Sequence, residues 1–166
     1  MIMTSRLRKF ALTVHITSSV GWIGAVVAFL ALVVAGLITH DDQTIRAFWI
    51  AMKLIGWYAI VPLALSSLLT GLIMSLCTKW GLFQHYWVLF KLLLTILAII
   101  VLLLNMQTVS FLAGAAKEMG STDLVIGLRS ELLHAGGGMV VLLVTTVLSV
   151  YKPRGMTRYG LRKQQK

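Results

Sequence analysis

Four side chains in this 166-residue chain have the chemistry to hold a metal or an anion within an otherwise apolar sequence: His15, Met74, Lys91 and His134. Neutral imidazole is the commonest metal ligand among side chains. A thioether is a soft second ligand, and His/Met pairs hold haem iron at raised potential. An ammonium such as that of Lys91 balances a propionate or another anionic ligand group. His15 shares one helical face with Ser18, Ser19 and Trp22, at i, i+3, i+4 and i+7. Each residue also has a plainer reading. The histidines can hydrogen-bond between helices, methionine is a common gap filler, and Lys91 is close enough to Trp87 to snorkel to an interface. His40 and His85 fall at loop boundaries and read as solvated or headgroup-facing.

The elements that must position these groups are four apolar stretches, roughly 10–38, 47–77, 88–112 and 132–151. With 58% hydrophobic and 12% charged residues, the chain does not have the composition of a soluble domain. About 20 apolar helical residues cross a ~30 Å hydrocarbon layer, and each stretch is that long. A helix satisfies its own backbone in lipid, and nothing alternates as barrel strands would. The expected fold is an all-α, integral membrane four-helix bundle, one domain over residues 1–166 with a basic tail from 152 to 166. The first stretch, about twice the length of a secretory apolar region, reads as an uncleaved span.

Charge orients the bundle. Asp41, Asp42, Glu118, Asp123 and Glu131 fall in the first and third connections or at the edges of their spans. Eleven of the 15 Lys and Arg fall on the opposite side: Arg6, Arg8, Lys9, Lys79, Lys91, Lys152, Arg154, Arg158, Arg162, Lys163 and Lys166. This positive-inside bias places both termini in the cytoplasm, with the basic tail against an anionic inner leaflet. The net charge of +10 sits beside spans, so it does not indicate nucleic-acid binding. Cys77 is the only cysteine, which excludes an internal disulfide and a thiolate metal cluster. With every acid at the acidic side, a relay of buried carboxylates is not expected.

Depth separates the candidates. His15 lies six residues beyond Lys9, or ~9 Å along its helix. His134 lies eighteen residues before Lys152, or ~27 Å from the same face, so the two should not ligate one haem. Met74, at ~7.5 Å, matches the depth of His15, while Met106 falls nearer His134. Pro62 predicts a kink. Residues 46–58, with Trp49, Lys53, Trp57 and Tyr58, read as an interfacial extension. Lys79, Trp80, His85, Tyr86 and Trp87 read as an aromatic belt at the basic side. Residues 113–129 are the longest connection, with room for a short surface helix. Gly21/Ala25, Gly24/Ala28 and Gly136–Gly138 predict close helix approach, within the chain or in a homodimer.

His15 followed by Trp22-Ile23-Gly24, then Thr70-Gly71-Leu72, Trp87-x-x-x-Lys91-Leu92, Arg129 and Lys152-Pro153, resembles a group of small bacterial membrane proteins. The group includes the HemJ-type protoporphyrinogen oxidases and the copper-resistance CopD proteins. The resemblance implies a four-helix haem b protein of the bacterial cytoplasmic membrane, with His15 as axial ligand and Lys91 as a cation near cofactor or substrate. If the chain is an enzyme, it implies a membrane oxidoreductase of the protoporphyrinogen oxidase type. The chain departs from the pattern at Asn105-Met106, where a histidine is expected, and at Leu132-Leu133, where an Asn-Glu pair is expected. The alternative function is a cofactor-free bundle acting as a small transporter, copper included, or as a partner-binding subunit. The methionines are too scattered to outline a copper path.

Overall fold

The structure is a computed structural model that describes residues 4–77, 82–153, 155–157 and 160. Helix α1 spans Ser5–Ile38, α2 Asp42–Ile55, α3 Val61–Cys77, α4 Tyr86–Ala115 and α5 Ser121–Tyr151. A π-helical segment, Gly56–Ile60, joins α2 to α3 without a break. The fold is all-α, with four helical passes of 30 to 36 residues that are long and apolar enough to cross a membrane. At 1.5 Å per residue they measure roughly 45–54 Å, well beyond the ~30 Å of hydrocarbon. The passes alternate in direction, so the start of α1 and the end of α5 share one end of the bundle. We call it the terminal end, and the opposite one the distal end.

The buried residues of α1 recur at helical spacing: Ser18, Trp22, Val26, Phe29, Val33 and Gly36. That stripe packs on α3 at the terminal end and on α2 and α5 toward the distal end. Its opposite face exposes Val20, Val27 and Val34, and every other pass also exposes large apolar side chains. Such an apolar exterior suits lipid rather than water.

Two expectations need correcting, and the Pro62 region adds a detail. Residues 46–58 do not lie at an interface throughout, since Trp49 is 0% exposed and packs with Ile45 and Met52 in the core. A helix buried on one face and longer than the bilayer needs extends the bundle instead. The Pro62 irregularity is a π turn immediately before it, in which the Val61 N–H reaches the Gly56 carbonyl. Proline has no N–H to offer the Tyr58 carbonyl, so the ladder is already interrupted there. Finally, the 113–129 connection is mostly helix. Only 116–120 separates α4 from α5, because α5 begins with an amphipathic stretch whose Leu124 and Leu128 are buried. Hydropathy alone finds the apolar part of a helix and misses such an extension.

At the terminal end, the chain after α5 docks on the connection before α4. Thr157 N–H donates to the Gln84 carbonyl at 2.9 Å, and Met156 bridges His85. The belt residues Lys79 and Trp80, and Arg154, Arg158, Arg162, Lys163 and Lys166 of the tail, lie outside the described residues.

Candidate functional site

Toward the terminal end, α1 and α3 meet along a polar seam. Ser19 and Ser67 hydroxyls pair at 2.8 Å. His15, half-buried, places Nδ1 3.1 Å from the Ser67 carbonyl and 3.0 Å from Thr70 Oγ1. Thr70 directs its single hydroxyl proton to the Ser66 carbonyl at 2.6 Å. Both neighbours of Nδ1 are therefore acceptors, so Nδ1 carries the proton and the lone pair of the neutral ring is at Nε2. This is the arrangement by which a carbonyl orients a ligating imidazole. Gly71 makes the approach possible, since a Cβ there would stand 3.2 Å from His15 Cε1.

Lys91 reaches from α4 to α5, where Nζ donates to Ser149 Oγ at 2.6 Å. Ser149 in turn donates to the Thr145 carbonyl at 2.7 Å. The ammonium is thus held by a neutral oxygen within a half-buried setting. Met74 continues the Thr70/Gly71 face of α3 by one further turn toward the terminal end.

Trp22 and His134 belong elsewhere. Both line a cavity of about 370 Å³, set between α4 and α5 and floored by α1. His15 is not in its wall, so the structure keeps the two histidines apart. His134 is on the exposed side of α5, with Nδ1 2.9 Å from the Ser130 carbonyl one turn back. Gly137 and Gly138 line the same cavity, and a Cβ at Gly136, Gly137 or Gly138 would meet nothing within 4 Å. Among the described residues, the close helix approach expected at these glycines is absent, as it is at Gly24, whereas Gly21 does pack on Leu63.

The cavity also holds the residue that the charge pattern misplaced. Glu131 is 1% exposed, and its Oε2 accepts from Asn105 Nδ2 at 2.7 Å. It is neither in a loop nor at a helix edge but ten residues inside α5. Its position was legible in spacing, since Leu124, Leu128, Glu131, Leu142 and Thr145 all fall on the buried face. Met106, also in the wall, turns its thioether toward Gly56, where a Cβ would overlap it. Among the described residues, no group of three His, Cys, Asp or Glu could hold a bare metal ion. No protein-family model, curated protein or solved structure matches this chain.

Proposed function

We propose that the chain is a multi-pass protein of the bacterial cytoplasmic membrane, both termini inside, that binds a b-type haem through His15. Its work would be membrane electron transfer or porphyrin redox chemistry. The observation that carries this reading is the His15 tautomer: two acceptors fix the proton on Nδ1 and leave Nε2 as a ligand. The residues present suit haem better than a bare ion. A porphyrin brings four nitrogens of its own, so it asks the chain for one or two axial ligands rather than a cluster. Lys91, held by a neutral hydroxyl, supplies positive charge for a propionate carboxylate. When bound, haem supplies one-electron chemistry. The chain contributes an oriented imidazole and a fixed cation. The resemblance to HemJ-type proteins supports the same reading, and the Lys/Arg bias supports the orientation.

An absorption spectrum of the detergent-purified protein, as isolated and after dithionite, tests it. The expected result is a Soret band with sharpened reduced α and β bands, lost in His15→Ala and retained in His134→Ala. The second reading is a cofactor-free bundle serving as a transporter or partner-binding subunit. It draws on the same hydrogen bonds, which join α1 to α3 with or without a ligand. Colourless protein from cells supplied with haem precursor decides for that reading.

A further inference from the structure

The Glu131 cavity is a site of a different kind, and the inference drawn from it stands independently of haem at His15. A carboxyl group 99% withdrawn from solvent faces a cavity whose wall is otherwise almost wholly apolar, with Trp22, Phe29, Leu102 and Leu142 around it. Among the described residues, Asn105 is its one hydrogen-bond donor, and it serves Oε2. No Lys or Arg lines the cavity, and His134 at the rim is the only other ionisable group there. That imidazole gives its Nδ1 proton to the Ser130 carbonyl. A buried carboxylate is costly unless a cation or a proton pairs with it. The wall provides no Lys or Arg for that role, and a cationic ligand would fill it in place of a proton.

The cavity is also reachable from the side. Leu97, Val101, Leu133 and His134 in its wall are exposed on the outer surface of α4 and α5. A ligand arriving there must be soluble in lipid. Its volume of about 370 Å³ falls within the range of small-molecule sites. We propose that this cavity binds a lipophilic organic monocation, entering between α4 and α5, with its charge paired to Glu131 and its apolar groups against Trp22 and Phe29. The open space at Gly137 and Gly138 is then room for the ligand, not a seat for another helix.

Methyltriphenylphosphonium and its neutral isostere 1,1,1-triphenylethane have the same shape and differ by the charge. Binding of each to the full chain in phosphatidylcholine nanodiscs, measured by equilibrium dialysis, tests the proposal. The cation should saturate one site about thirtyfold more tightly than the isostere, as a buried charge pair requires. Glu131→Gln should abolish that preference and leave the isostere unchanged. Gly138→Leu keeps the carboxyl but fills the cavity, and should exclude both. Equal binding of the two probes would mean that His134 or a proton already neutralises Glu131, and would overturn the proposal. So would absence of saturable cation binding, or a preference that survives in Glu131→Gln. If that variant fails to fold, undiminished cation binding by Gly138→Leu is equally fatal.

Discussion

The distal half of this bundle encloses a closely packed interior of large apolar side chains, whereas the terminal half is joined largely by hydroxyls, an imidazole and small residues. Distally, Trp49, Met52, Val33, Val109, Leu124 and Leu128 are essentially without exposure. Terminally, the contacts that join helices are Ser19 to Ser67, His15 to Thr70 and Lys91 to Ser149. The membrane placement proposed above accounts for the difference. Helices of roughly 45–54 Å project well past a ~30 Å hydrocarbon layer. Where they project into water, burying apolar surface drives association. Within lipid that drive is missing, and close contact and hydrogen bonds must serve. The Glu131 cavity sits between the two regimes, where neither has filled the space.

The sharpest way to break this comparison is to remove Trp49. Trp49→Ala should cost about 3–5 kcal/mol, the price of a large cavity in a close-packed core, read as a fall in unfolding temperature in detergent. A loss under about 1 kcal/mol would mean that the distal half is not a core in the soluble sense. One substitution made twice on α5 gives a finer contrast. Gly127→Ala would place a Cβ 2.9 Å from the Trp49 ring and 3.0 Å from Leu112, and should cost about 1–3 kcal/mol by overpacking. Gly136→Ala meets nothing within 4 Å, and should stabilise by about 0.5–1 kcal/mol through helix propensity. Equal effects at both positions would erase the distinction between packed and open stretches of the same helix.

What the sequence disclosed and what it withheld divide along the same line. Long apolar runs announce the four passes because lipid imposes one composition on every helix that faces it. His15, Lys91 and Thr70-Gly71 were legible for the same reason, since a polar group in such a run stands out. Their bonding partners, Ser67 and Ser149, did not stand out among the many small hydroxyl residues. In the distal half, Glu131, Arg129 and Asp123 together look like an ordinary solvated turn. Only the spacing of Leu124, Leu128 and Glu131 separates a buried position from its exposed neighbours, and charge counting overrides that spacing. Trp49 misled in the same way, because an aromatic near a span end satisfies two rules at once.

The terminal seam should yield a smaller effect than the distal core. Thr70→Val removes one acceptor from the His15 Nδ1 proton while preserving shape, and the Ser67 carbonyl remains. The expected cost is about 0.6 kcal/mol, the average for a hydrogen bond between membrane helices. The same variant tests the haem reading without deleting the ligand: a haem held by His15 should shift its reduction potential, since the bond at Nδ1 tunes the ligand. A stability loss comparable to that of Trp49→Ala would show that the seam is as consequential as the core, and the contrast drawn above would fail.

The smallest expected effect lies at the distal turn, where α2 begins. Asp41 caps that helix: its carboxylate accepts from Thr44 N–H at 2.9 Å and from the Thr44 hydroxyl. These bonds, the hydroxyl first, hold its carboxyl below the ordinary aspartate range although the side chain is fully exposed. A depressed folded-state value means that the stabilisation is complete above the unfolded value, about 3.9, and fades as pH falls through the folded one. Asp41→Asn keeps an acceptor at the cap, asparagine being as good a cap as aspartate, but removes the titration. At neutral pH the variant and the parent should unfold together. Below about pH 4 the parent should lose protection of the α2 amides in hydrogen exchange, and the variant should not. Identical acid behaviour in the two would mean that α2 is held by Ile45, Trp49 and Met52 alone, its cap adding nothing to a helix already fixed by burial.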